Sequence, residues 1–265
     1  MNMFRVLIRL AVLVLLSFPA MAKDVFVVAV PVQGPWNYFQ EDGEQLAGID
    51  IDVVRAVARE SNYKFEFKPM GAGRAMKELK AGNIDAIAGV STNFASVNGL
   101  LVAGPYIGDI HQEIFQRADT DKPVMRYKDL YSHVTGIVRT FSYFDELDDD
   151  PLITREYSED PDLLFGKLKN GELDVVAASQ WEVAYYLKSQ KLESHTFVPA
   201  PADLSKHRAV TDRAMAFRKD VDQGFYKKIR RTMLVLEEDG ILSSIIGSYR
   251  GKFLAPGAPQ DSSEQ

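Results

Sequence analysis

Cysteine is absent from this 265-residue chain. That excludes a disulfide framework, a thiol nucleophile and a cysteine-built metal site. Histidine is scarce: His111, His133, His195 and His207 are the four present, and no two stand at a metal-ligand spacing such as His-x-x-x-His. No Gly-x-Ser-x-Gly and no P-loop occurs. Beyond residue 22 no apolar run approaches the length of a membrane span, so the chain is not expected to be membrane-inserted. Positive charge is in deficit, with 31 Lys and Arg against 37 Asp and Glu, a formal net charge of −6. An acidic protein has no electrostatic reason to bind nucleic acid or an anionic bilayer. These gaps point away from an enzyme, and neither a cofactor nor a metal is expected.

The first 22 residues have the composition of a secretory signal. Arg5 and Arg9 supply the positive start, Leu10 to Phe18 the apolar run, and Ala20-Met21-Ala22 the small-x-small cleavage pattern. Cleavage after Ala22 removes two positive charges and no acid, taking the formal charge from −6 to −8. With no cysteine to carry a lipid anchor after the signal, the expected location is the periplasm of a Gram-negative cell.

What the chain does have is a short stretch and its echo. Leu79-Lys80-Ala81-Gly82-Asn83-Ile84-Asp85 returns as Leu168-Lys169-Asn170-Gly171-Glu172-Leu173-Asp174, and each copy runs into an apolar segment. The pattern reads as helix, stop and buried strand, with Gly82 and Gly171 in the left-handed position after the helix. Asp85 and Asp174 are read as shaping the turn into each strand. Two copies imply two similar α/β lobes with ligand space between them.

Around the repeats the elements follow in order. Val25 to Val30 reads as a buried parallel strand. Gln33 to Gly48 is a loop carrying Trp36, Tyr38 and Phe39. Asp50 or Asp52 would cap the next helix. Tyr63, Phe65 and Phe67 alternate as in a half-buried strand. Ser91 to Asn98 reads as a polar loop, and Gly104-Pro105 as a turn. Asp145 to Asp150 reads as a solvated acidic run. Trp181 and Tyr185, four apart on a helix, read as core. Ala214 to Phe217 reads as a last strand before an amphipathic helix with Phe225, Ile229, Met233 and Leu236 on one face.

The order of these motifs resembles the bacterial extracellular solute-binding proteins of family 3. Gly48-Ile49-Asp50-Ile51-Asp52-Val53 is similar to that family's Gly-Phe-Asp-Val-Asp-Leu signature. Leu79 to Ala86, Gly136-Ile137-Val138, Ala214 to Asp220 and Glu238-Asp239-Gly240 resemble further family segments in the expected order. The resemblance implies an α/β, two-lobed type II periplasmic binding protein fold with a ligand cleft between the lobes. The implied division is 1–22 signal, 23–110 first part of lobe one, 111–218 lobe two, 219–254 C-terminal helices returning to lobe one, and 255–265 a disordered tail.

Carried over by position, the cleft residues would be Trp36 and Tyr38 from the aromatic loop, Ser91 and Thr92 after the first repeat strand, and Arg139, Thr140 and Ser142 after the first strand of lobe two. Arg74, at the start of the helix into the first repeat, is the other cationic candidate. Two departures stand out. Family amino-acid binders carry an arginine shortly after the first repeat strand for the ligand's α-carboxylate, but no Arg or Lys occurs from Ala81 to Gln116. The aspartate expected after the second repeat strand is Ser179 here. The implied function is capture of a small polar, amino-acid-like solute by lobe closure and delivery to an ABC transporter. A sensory protein that presents its ligand to a membrane receptor is one alternative, and a cyclohexadienyl-dehydratase-like enzyme on the same fold is another. A monomer is expected, with a small-molecule ligand and a membrane permease or receptor as partners.

Overall fold

The computed structural model describes residues 25–138, 143, 145–201 and 209–254. The signal, the tail and three of the site candidates, Arg139, Thr140 and Ser142, therefore lie outside the described residues. Among the described residues no helix is long and apolar enough to cross a membrane.

One mixed sheet runs through the molecule. Its first half contains β1 (Val25–Val30), flanked in parallel by β4 (Lys64–Pro69) and β5 (Ala86–Val90). Its second half contains β7 (Val134–Val138), flanked in parallel by β8 (Thr154–Ser158) and β9 (Val175–Ser179). Two long strands join the halves. β6 (Leu101–Arg117) pairs antiparallel with β11 (Ala209–Phe217) at one end and with β9 at the other, and β11 pairs antiparallel with β5. The strand order is β4-β1-β5-β11-β6-β9-β7-β8, with short β10 (Phe197–Pro199) beside β6. A small hairpin, β2 (Tyr38–Phe39) and β3 (Leu46–Ala47), stands apart.

Strand side chains alternate between faces, so each half buries two cores. In the first half Val28, Val30 and Phe217 meet helices α1 (Ile49–Ser61), α7 (Gln223–Glu238) and α8 (Ile241–Phe253) through Val54, Ile229 and Leu242. Ala29 and Ile87 face the other way, onto Ala75, Leu79 and Ala95 of α2 (Ala72–Ala81) and α3 (Thr92–Val97). In the second half Phe115 and Val176 meet α5 (Pro161–Asn170) and α6 (Gln180–Ser189). Ile114 and Val175 face Leu130 of a short 3-10 turn and Leu147 of α4 (Asp145–Asp149).

The repeat is structural in both copies. Gly82 and Gly171 follow their helices at φ 80° and 76°. The Asp85 carboxylate accepts from Val27 N–H at 2.7 Å, and Asp174 accepts from Val134 N–H at 2.7 Å. Each aspartate thus ties the turn after one helix to the first strand of its own half.

Several expectations change. Gly104-Pro105 is no turn, because β6 continues through it and β11 pairs on either side. Within Ser91 to Asn98, Thr92–Val97 is helical, with Ser91 Oγ accepting from Phe94 N–H as the cap. The acidic run stays at the surface but is helical over Asp145–Asp149, and its carboxylates are partnered: Asp150 accepts from Tyr127, Tyr131 and Leu152 N–H, and Asp148 accepts from Tyr143 N–H. Neither Asp50 nor Asp52 caps α1, whose N-cap is Gly48. Asp52 instead accepts from Arg55 and from Tyr249 on α8. Asp50 turns inward, and the site is built on it.

Candidate functional site

Asp50 is fully buried, and an ionised carboxylate there requires partners. It has four donors. Arg213 of β11 binds it bidentately, Nε to Oδ1 at 3.0 Å and Nη2 to Oδ2 at 2.7 Å. Tyr106 Oη donates to Oδ1 at 2.7 Å, and Asn37 Nδ2 to Oδ2 at 2.7 Å. Burial and the Asp50 charge raise the Tyr106 phenol well above its ordinary range, so it stays a donor. The Arg213 guanidinium also lies 4.5 Å over the Trp36 ring. Two glycines make room. At Gly89 (φ 76°) a Cβ would lie 2.2 Å from Arg213 Nη2 and 2.3 Å from Asp50 Oδ2. At Gly48 (φ 133°) it would lie 2.0 Å from the Trp36 carbonyl oxygen.

A second buried carboxylate joins the halves. Glu182 of α6 accepts from Ser179 N–H at 2.7 Å and Ser179 Oγ at 2.8 Å, completing a capping box. Its other oxygen accepts from Gln33 Nε2 and, at 3.4 Å, from Trp36 Nε1. Burial pushes its carboxyl above the ordinary value of 4.5, against the Ser179 donors and the Arg213 charge. Around this contact Trp36 packs on Trp181, ring centroids 5.8 Å apart. The Gly34 backbone lies against the Tyr185 ring, where a Cβ would be 2.0 Å from Cε1.

Beside these two carboxylates is a cavity of about 550 Å³. The first half supplies Trp36, Met76, Val90 and Phe94 to its wall, and the second half supplies Val138, Glu159 and Glu182. The joining strands supply Ile110, Gln112, Asp212 and Arg213. Its size and mainly apolar wall suit a small organic molecule. Among the described residues no group of His, Asp or Glu could hold a metal ion.

The structure brings some of the expected residues together here and not others. Trp36 lines the cavity, although Arg213 lies over its ring and Trp181 packs against it at a tilt. Ser91 lines it as well. Thr92 stands just behind the wall: its N–H and hydroxyl donate to Asp212, at 2.7 and 2.5 Å. Tyr38 is turned away from the cavity, packed on Tyr185 and Phe253, with its hydroxyl accepting from Lys252. Arg74 does not line the cavity; it is exposed on α2 and paired with Glu78 at 3.7 Å. Its neighbours Gly73 and Lys77 take the lining positions, because the helix turns Arg74 outward.

Four important residues were not read from the sequence. Glu182 carried a signal, Ser179-Gln180-Trp181-Glu182, the spacing of a capping box. Asp212 and Arg213 lie within β11, just before its apolar end at Ala214 to Phe217, and Gln112 lies within β6. Only tertiary pairing reveals those three.

Comparisons with known proteins agree with this architecture. A probable histidine-binding protein of Neisseria gonorrhoeae is 27% identical over 214 residues, covering 78% of this chain and 76% of that one. A membrane-bound lytic murein transglycosylase F of Methylobacillus flagellatus is 25% identical over 252 residues, 89% of this chain, but the match spans only 50% of that enzyme. The crystal structure of the arginine-, lysine-, histidine-binding protein ArtJ of Geobacillus stearothermophilus superposes with a TM-score of 0.72 at 21% identity, covering 89% of this chain and 97% of ArtJ. That likeness shows the type II periplasmic binding fold. The family model for bacterial extracellular solute-binding proteins, family 3, matches residues 26–252, and the chain belongs to that family.

Proposed function

We propose that this protein captures a small, amino-acid-sized solute in the periplasm and delivers it to an ABC permease. The observation that carries this is the cavity walled by both halves of the sheet. A ligand there touches both halves, so its binding free energy favours the arrangement in which they meet, a hinge-type population shift. Among the described residues only β6 and β11 run between the halves as strands, which suits a hinge. The Glu182 contact with Gln33 and Trp36 holds the halves together beside the cavity. Trp36, Ser91 and Thr92 remain the expected ligand-side residues, Thr92 through Asp212.

The test is a thermal-shift screen over amino acids, amines, organic anions and small peptides. A ligand at about 100 times its Kd adds roughly 2.7 kcal/mol. For a chain of this size that raises Tm by roughly 5–10 °C. The ligand-loaded protein should then stimulate ATP hydrolysis by an ABC permease of the same cell reconstituted with it. No stabilising solute in any class would remove the receptor reading. A stabilising solute with no effect on a permease would reassign the protein to sensing.

A further inference from the structure

Among the described residues, the polar groups of the cavity are not those of a carboxylate receptor. Among the described residues its charged lining consists of Lys77, Glu159, Glu182, Asp212 and Arg213. Arg213 is committed to Asp50 and to the Trp36 face. Lys77 is exposed. The donor pair at the start of α3, the N–H and hydroxyl of Thr92, is already taken by the protein's own Asp212 carboxylate. An anionic ligand end placed there would meet Asp212 rather than the donors, and like charges in a desolvated site repel strongly.

What stands open is acceptor capacity. Gln112 is 4% exposed, lines the cavity, and its Oε1 has no hydrogen-bond partner among the described residues. A buried, unpaired acceptor is costly, and a ligand N–H would satisfy it. Asp212 is on β11, the strand paired with the strand that carries Gln112. Its two oxygens accept from Thr92 alone in the described structure and have lone pairs to spare. Around these acceptors the wall is apolar, from Met76, Val90, Phe94, Ile110 and Val138.

We propose that the cavity selects a small organic amine, an ammonium on a largely apolar body without a free carboxylate, with Gln112 Oε1 and the Asp212 carboxylate as its acceptors. This rests on the receptor reading above and names its ligand class. Asp212 neutralises the ammonium through charge-assisted hydrogen bonds, while the apolar wall receives the body.

The experiment is calorimetric titration with pairs that differ only by a carboxylate: histamine with histidine, agmatine with arginine, and phenethylamine with phenylalanine. Hydrocinnamate serves as the anion lacking an amine. At least one amine should bind about tenfold or more tighter than its parent amino acid, and hydrocinnamate should not bind. Asp212→Asn keeps an acceptor for Thr92 N–H but removes the charge. It should weaken the amine about tenfold or more and narrow the gap to the amino acid. Gln112→Leu should weaken the amine while leaving the melting temperature close to that of the parent, since it removes an unpaired acceptor. Amino acids that bind as well as their amines would overturn the inference and leave the receptor reading intact. Amine affinity unchanged in both folded variants would overturn it as well. Failure of every probe, together with an empty thermal-shift screen, would overturn both.

Discussion

Arg213 and Asp50, 163 residues apart in sequence, form a bidentate ion pair in which the side chains are 7% and 0% exposed. The pair joins the first turn of α1 to a strand shared by both halves, directly beside the cavity. Breaking such a pair leaves one buried charge without compensation, a loss of about 3–5 kcal/mol. Asp50→Ala is therefore expected to unfold at much lower denaturant than the parent. Asp52→Ala, two residues on, loses an exposed pair with Arg55 and the Tyr249 hydroxyl contact, about 1 kcal/mol. Urea unfolding of both variants checks this contrast. Equal losses would show that the two aspartates of the Gly48 to Val53 motif are not distinguished as the geometry requires.

Gly89 is expected to tolerate no side chain. A methyl group would press on both partners of that ion pair, at a φ of 76° that disfavours any other residue. Gly89→Ala should cost on the order of 2 kcal/mol or more. Gly43→Ala is the control, because its φ of 71° is similar but nothing lies within 4 Å of the added atom. A Gly89 variant no worse than the Gly43 one would contradict the packing argument.

The duplicated aspartates should behave alike. Asp85→Ala and Asp174→Ala each remove one charge-assisted bond to a strand N–H, at 2.7 Å in both halves. About 1.5–3 kcal/mol is expected from each. The sites lie in different halves, so the double variant should lose close to the sum. Chemical denaturation of the three variants measures it, and strong non-additivity would mean that the halves do not carry independent copies of the turn.

Glu182 makes stability depend on pH. Its folded carboxyl titrates above the ordinary 4.5 because it is buried. The native state therefore holds the proton more tightly than the unfolded chain. The stability this contributes is complete below about 4.5 and is lost as pH rises through the raised folded value. Relative to Glu182→Gln, which does not titrate, the parent should lose stability with rising pH across that interval. Melting curves of both proteins from pH 4 to 8 test this, pH being set on the order of one-unit steps. If the parent instead gains on the variant as pH rises, the Ser179, Gln33 and Trp36 donors outweigh burial.

Much of the scaffold was legible in the sequence, for local reasons. Helix-glycine-strand repeats, β-branched runs and amphipathic faces carry their own signatures, so the two repeat strands and the helix bearing Phe225 and Ile229 could be placed in advance. The full length of the joining strands could not, since Ala214 to Phe217 is only the end of β11. Gly104-Pro105 has the chemistry of a turn, and only pairing with β11 shows that β6 continues through it. The site was harder still. Motif position brings Trp36 and Ser91 to the cavity wall and Thr92 just behind it. Arg74 and Tyr38 lie away from it for different reasons: helix geometry turns one outward, and aromatic neighbours on α6 and α8 hold the other aside. The absence of an arginine after the first repeat strand was visible. That Asp212 fills the donor pair at Thr92 was not, because the two are 120 residues apart.

The central claim is that the cavity between the halves is the solute site. It is tested by calorimetric titration of the best ligand from the screen into the parent and into Met76→Trp, which fills the cavity from α2. One ligand per chain in the parent, with binding abolished in a variant that keeps its fold, is the predicted result. Undiminished affinity in Met76→Trp would place the solute elsewhere and contradict the account.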